Sequence, residues 1–238
     1  MSKFAMLANN PSILITGEID EALIQQLTSK GFNVDVIPFI KTESIQSAII
    51  QQEIEHIATI DAIIIFTSSH AVEAISHLLS NKKINWKVYC VGEKTKYVIE
   101  HLLPAVSVAD YADNAIHLSQ KIISTNSINE VYFFCGDKRM DTLPRLLASN
   151  NITVHEVQVY TTTIFEYALN RYYDVVLFFS PSAVRGFFTS NTIDEKTALF
   201  AIGNTTANEI KRYTSTNIII SEKPGKKELI EKLVEFFE

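Results

Sequence analysis

A chain of 238 residues, 47% hydrophobic and 20% charged, holds enough apolar material for one large core or two ordinary ones. A formal net charge of −6 and a pI near 5.6 argue against a nucleic-acid surface, which needs clustered Lys and Arg. No apolar run approaches the ~20 residues that a membrane span requires.

The start, MSKFAMLANN, has one Lys and a short apolar patch, too little for a signal peptide, so the cytoplasm is the expected compartment. Short runs rich in Ile, Val and Phe then alternate with segments of helical period, as βα units do. In chain order the strands are expected at 12–16, 34–40, 62–66, 87–91, 107–109, 131–135, 153–160, 175–179, 199–202 and 217–220. The helices are expected at 21–30, 43–56, 71–79, 94–102, 115–124, 142–149, 183–188, 206–213 and 226–237. Near-continuous apolar strands such as AIIIF and VVLFF suit parallel sheets covered on both faces, so the fold class is α/β. Cys90 and Cys135 fall inside expected strands and read as buried, inert thiols rather than a disulfide.

The chain is written twice. Pro11–Thr42 aligns with Val131–Thr162 at a constant offset of 120. Further on, the stretch Ile65 to Val72 matches Leu177 to Val184, and Val91–Thr95 matches Ile202–Thr206, at offsets of 112 and 111. Two equivalent lobes are therefore expected, with repeated hydroxyl-rich turns lining a cleft between them. The stretches 34–42 and 154–162 occupy matching positions and run past the end of an ordinary strand, so both read as crossover strands. Pro38 cannot donate to a ladder, which puts its strand at an edge. The residues alone leave two arrangements open: lobes of 1–122 and 131–238, or an exchange in which each lobe takes its first βα unit from one copy and the remainder from the other.

Several chemistries lose their usual support. There is no GxGxxG, no phosphate-binding GxxxxGK[ST] and no GxSxG elbow. The histidines show no HExxH spacing and the cysteines no CxxC, which speaks against a catalytic metal. What remains is a set of turns lying after strands and before helices, where parallel α/β proteins bind ligands and where helix-start N–H groups are unpaired. Thr67, Ser68 and Ser69 with His70, then Ser180 and Ser182, then Thr95, Thr205 and Thr206 add hydroxyls at those places. Each of these residues could equally be an ordinary helix cap. Arg185 and Lys94 are candidates to pair with an anionic ligand, against the alternative of solvated helix faces. Tyr160, at the end of the second crossover, is the one residue placed as a proton donor; a packing tyrosine is the alternative.

The crossover ending in Val-Tyr-Thr-Thr, the TS-x-x-AV and FSPSAV turns, the paired VG-x-x-T and IG-x-T-T-A turns, and Lys223-Pro224 followed by Leu229 together resemble the uroporphyrinogen-III synthase family. The resemblance runs from about Ser12 to Leu233. It departs at Thr16-Gly17-Glu18, where the family often has Thr-Arg-Pro, and at Cys135-Gly136-Asp137, where many members read Arg-Gly-Glu. Lys138 and Arg139 are the residues expected to supply the basic contact instead.

The resemblance implies the exchanged arrangement: one lobe from 1–36 plus 164–238, the other from 44–153, with 37–43 and 154–163 as crossover strands in a two-stranded ladder. It implies conversion of hydroxymethylbilane, a linear tetrapyrrole with eight carboxylates, to uroporphyrinogen III, with loss of water and inversion of ring D. It implies no cofactor, no metal, no nucleic-acid or membrane partner, and a monomer. Tyr160 takes the catalytic role, and Thr67, Ser68, Ser69, Thr95, Lys138, Arg139, Ser180, Ser182, Thr205 and Thr206 bind substrate. A two-lobed binding protein without chemistry and a nucleotide- or flavin-binding α/β protein remain the rival readings.

Overall fold

The computed structural model describes residues 10–80, 82–223 and 225–238. The N-terminal segment read for a signal, apart from its last residue, and Pro224 of the Lys223–Leu229 motif lie outside the described residues. The chain divides into two compact units, residues 1–41 with 163–238 and residues 42–162.

The elements run β1 (Ser12–Ile15), α1 (Glu21–Ser29), β2 (Asn33–Val36), β3 (Ile40–Ser44), α2 (Ala48–Ile57), β4 (Ala62–Phe66), α3 (Ser69–Leu79), β5 (Trp86–Val91), α4 (Glu93–Leu102) and β6 (Ser107–Ala112). They continue with α5 (Ala115–Ser124), β7 (Glu130–Gly136), α6 (Thr142–Ala148), β8 (Thr153–Ile164), β9 (Val175–Phe178), α7 (Pro181–Ser190), β10 (Ala198–Ala201), α8 (Asn204–Ile210), β11 (Ile218–Ile220) and α9 (Lys226–Phe237).

In the discontinuous unit the sheet order is β11-β10-β9-β1-β2, and every pairing in it is parallel. β1 lies between β2 and β9, with Ile13 opposite Val175 and Ile15 opposite Leu177. β1, α1 and β2 of the first sequence copy therefore complete a sheet whose other strands, β9, β10 and β11, come from the second copy. β9 and β10 are buried along their whole length. Successive side chains of a strand point to opposite faces, so such a strand needs a core on each. Val175, Leu177 and Phe200 pack with Leu229, Ile230 and Leu233 of α9, whereas Val176, Phe178 and Leu199 pack with Val184 and Phe187 of α7.

The continuous unit has the order β3-β8-β7-β4-β5-β6. β8-β7-β4-β5-β6 repeats the β2-β1-β9-β10-β11 pattern of the other sheet, again parallel throughout. Ile64, Phe66, Val88 and Phe134 build one core with α2 and α3, and Ile65, Phe133, Leu118 and Ile122 build the other. Trp86 is held in the first by an Nε1–H bond to Ile57 C=O at 3.0 Å.

The first crossover differs from its expected form. The segment 34–40 is not one strand; it breaks at Ile37-Pro38-Phe39 into β2 and β3, which belong to different sheets. Pro38 has no N–H to give, whereas Ile37 and Phe39 donate to Ile15 and Thr16 C=O at 3.0 and 3.1 Å. The Phe39 side chain is fully buried, so it anchors the break. The second crossover stays whole as the 12-residue β8, and a register shift between Cys135 and Gly136 absorbs the same irregularity. β3 and β8 are neighbours, as the ladder requires, but they form the edge of a six-stranded sheet rather than a free ribbon. Residues 43 and 44 were expected to open a helix; they end β3, and α2 starts only at Ala48. The short strand expected at 107–109 extends to Ala112.

Candidate functional site

In both units the candidate residues cluster at the carboxyl ends of parallel strands, the edge where open α/β sheets bind ligands. The continuous unit contributes Thr67–His70 after β4, Gly92–Thr95 after β5, Gly136 at the end of β7 with Asp137–Arg139 after it, and Tyr160 within β8.

Tyr160 sits over Gly136, and its ring centroid is 5.9 Å from that of His70. Burial pushes the phenol above its ordinary pKa, and the nearby Ser68 hydroxyl pulls the other way. The phenol is thus protonated across the neutral range and is a hydrogen-bond donor. Ser68 also caps α3, accepting from His70 N–H at 3.2 Å. Ser69 is buried, and Thr67 is half-buried in the same turn. The His70 imidazole is occupied by Glu73 at 3.1 Å.

Thr95 is the third residue of α4 and only 5% exposed. Gly92 precedes that helix with φ 85°, a left-handed conformation that suits glycine and opens the first helical turn. Lys96 is the first residue whose N–H finds an intrahelical acceptor, Gly92 C=O, so the N–H groups of 93–95 have no such partner. Lys94 is exposed and close enough to Glu73 to lower its pKa, behind the larger effect of His70.

The two basic candidates after β7 are both engaged. Lys138 Nζ is 3.2 Å from Asp137 Oδ2, and Arg139 bonds both Asp141 and Glu156. Asp137 is itself held, its Oδ1 accepting from Thr162 N–H at 2.7 Å.

The discontinuous unit repeats the scheme. Ser180 caps α7 by accepting from Ala183 N–H at 3.1 Å, and Ser182 Oγ accepts from Arg185 Nη2 at 3.0 Å. Thr206, the third residue of α8, is 3% exposed, in the position equivalent to Thr95, while Thr205 faces solvent. Ser68 and Ser180 therefore cap helices, whereas the residues that precede α4 and α8 are glycines and Thr95 and Thr206 take no capping role. At Thr16-Gly17-Glu18, Gly17 lets the loop close on Phe179, since a Cβ there would meet that ring at 3.2 Å. Lys226 Nζ donates to Glu18 C=O at 2.5 Å and lies 5.4 Å from the Phe179 ring. A cation thus stands at the loop from which the sequence pattern had lost one. Sequence reading passed over it because Lys226 is 208 residues away along the chain.

A cavity of about 340 Å3 lies at the opposite, amino-terminal end of β9 and β10, lined by Arg171, Tyr173, Asn191 and Thr197. Its polar groups are spent on the fold: Asn191 binds Leu169 N–H, Tyr167 C=O and Phe187 C=O, and Thr197 binds Tyr173 C=O. Among the described residues no group of three His, Cys, Asp or Glu side chains could hold a metal ion, and no helix is long and apolar enough to cross a membrane.

Comparison with solved structures gives the same architecture. A uroporphyrinogen-III synthetase from Helicobacter pylori is 16% identical with a TM-score of 0.66, covering 95% of this chain and 99% of its own. A mutant uroporphyrinogen III synthase from Thermus thermophilus is 15% identical with a TM-score of 0.69, covering 95% and 97%. The wild-type protein of that organism, in another crystal form, gives 14% and 0.52 over 95% and 96%. At such identities these likenesses concern the fold. The family model described as uroporphyrinogen-III synthase HemD matches residues 21–231, and the chain belongs to that family.

Proposed function

We infer that the chain cyclises hydroxymethylbilane to uroporphyrinogen III, with Tyr160 assisting departure of the terminal hydroxyl. Family membership gives the reaction class, a cyclising lyase. The observation that supports the assignment to Tyr160 is its position, a protonated, half-buried phenol over Gly136 and beside His70 at the carboxyl edge of the sheet.

The reaction removes the bilane's hydroxyl together with a proton as water and leaves an azafulvene. Attack from the substituted carbon of ring D forms a spiro-pyrrolenine; that intermediate fragments and recloses with the ring inverted. Free bilane closes without inversion, so the protein must favour one closure over a facile competitor. A hundredfold preference corresponds to about 2.7 kcal/mol of barrier difference. Orientation of the end rings can supply that much. Under this reading the substrate is held by Thr67, Ser68, Ser69, Thr95, Ser180, Ser182, Thr205 and Thr206 together with the open helix-start N–H groups. Lys138 and Arg139 already have acidic partners, so under this reading they meet the substrate by exchanging those partners.

The reading includes a monomer acting in the cytoplasm without cofactor, nucleic acid or membrane. Two free, buried thiols and the net charge of −6 support it. The test is incubation of the pure protein with freshly generated hydroxymethylbilane and separation of the isomers. Formation of isomer III is expected; isomer I alone, as in the buffer control, overturns the reading. Size-exclusion chromatography with light scattering checks the monomer.

A further inference from the structure

Glu209, on α8, is 9% exposed, and its Oε1 has no hydrogen-bond partner among the described residues. Buried carboxylate oxygens are normally bonded, because an unpaired one retains its desolvation cost. The cation facing this oxygen is Arg185 of α7, with Nη1 at 3.6 Å, an ion-pair distance too long for a hydrogen bond. The other Arg185 nitrogen, Nη2, donates to Ser182 Oγ at 3.0 Å. Glu209 Oε2 is 3.3 Å from Arg212 Nη1, and Arg212 is 71% exposed.

A guanidinium has five N–H donors in a rigid fork. Arg185 uses one on Ser182, is steered by Glu209 without being locked to it, and keeps 37% of its side chain open to solvent. Two arginines against one glutamate leave this cluster with one net positive charge on a chain of net −6. An arginine beside a serine hydroxyl and a capped helix start fits a carboxylate, which the fork can take through two parallel bonds.

We propose that Arg185 binds a carboxylate of the ligand at the Ser180–Ser182 turn, and that Glu209 is the positioning residue that aims its guanidinium. The proposal rests on the tetrapyrrole reading for the kind of carboxylate, an acetate or propionate arm, and it names one contact that the reading leaves unassigned. Glu209 touches no ligand. Its effect passes through Arg185, and that separates positioning from mere support of the helix pair.

The experiment measures fluorescence quenching of an octacarboxylate porphyrin by the full chain, for wild type, Arg185→Gln, Arg185→Lys, Glu209→Gln and the Arg185→Gln/Glu209→Gln double variant. Melting temperatures report folding, and Arg185→Lys serves if the glutamine variant does not fold. Loss of a charge-assisted carboxylate contact should weaken binding roughly tenfold in Arg185→Gln. Arg185→Lys should recover part of this, and Glu209→Gln should weaken binding roughly threefold by releasing the fork. The double variant should match Arg185→Gln, because Glu209 has nothing left to position. In turnover the loss should fall on KM more than on kcat. Unchanged binding in Arg185→Gln, tighter binding in Glu209→Gln, or a Glu209 effect that persists without Arg185 overturns the proposal. Absence of isomer III from a wild type that binds the porphyrin overturns the catalytic reading and leaves this one standing.

Discussion

Gly136 lies beneath the ring of Tyr160: a methyl group built on Gly136 would stand 2.3 Å from Cζ and 2.8 Å from the phenol oxygen. No side chain fits there unless the tyrosine leaves. The register shift that sets Gly136 opposite Tyr160, after Cys135 opposite Gln158, brings the two together. Gly136→Ala should therefore displace the phenol and cost roughly 1–3 kcal/mol of stability through overpacking. Its rate of isomer III formation should fall at least as far as that of Tyr160→Phe. A Gly136→Ala protein with wild-type rate and melting temperature would disprove the close packing.

Tyr160→Phe keeps the ring and removes only the hydroxyl. If the phenol is the proton donor, the rate should drop by more than the ~0.5–1.5 kcal/mol of an ordinary hydrogen bond, about two- to thirteenfold. Initial rates on fresh bilane measure this. A wild-type rate would leave orientation as the whole catalytic effect.

Thr95 and Thr206 hold equivalent places, buried in the first turns of α4 and α8. Thr95→Val and Thr206→Val keep the side-chain shape, and each should cost about 0.5–1.5 kcal/mol of activation free energy. Abolition of activity by one substitution alone would contradict binding spread over many donors.

Gly186, on α7, passes under the first crossover, and a Cβ there would stand 2.8 Å from Phe39 C=O and 2.9 Å from Ile164 Cγ2. The backbone oxygen cannot turn aside as a side chain would. Gly186→Ala should lower stability by about 1–3 kcal/mol, read by urea unfolding.

Asp35 accepts from Tyr173 Oη at 2.6 Å and pairs with Arg171; these contacts, Tyr173 foremost, hold its carboxyl below the usual range against a smaller opposing effect of burial. A lowered folded-state pKa contributes stability above the unfolded value near 3.8, lost as the pH falls through the lower folded value. Asp35→Asn should thus flatten the acid limb of the stability curve below about pH 4, by a small amount because the pair is solvent-screened. An unchanged acid limb would remove Asp35 from that balance.

The α/β class was legible because buried parallel strands write themselves as unbroken apolar runs, AIIIF at 62–66 and VVLFF at 175–179. The repeat made Thr95 and Thr206 legible as a pair. The division at Pro38 was half legible: its missing donor pointed to an edge, but not to a change of sheet, which depends on Phe39 finding a buried place. β3 was legible as the crossover 37–43 laddered with 154–163, but its last residues read as the start of a helix, and its place at the edge of a six-stranded sheet was not legible. Glu209 was illegible: a glutamate amid a helix looks solvent-facing until Arg185 and Arg212 are placed beside it.

The position of β1 between β2 and β9 also fixes an order of assembly. During synthesis β1 emerges with β2 as its only sheet partner, and Ile13 must wait for Val175, 162 residues later. Closing a loop of that length in an unfolded chain costs about 4.5 kcal/mol beyond the constant term. The intervening residues 42–162 form a continuous unit and can fold while the ribosome is still at work. Folding that unit first turns a long slack loop into a short tether, so an early defect such as loss of Trp86 packing should delay the completion of a sheet that contains none of the damaged residues.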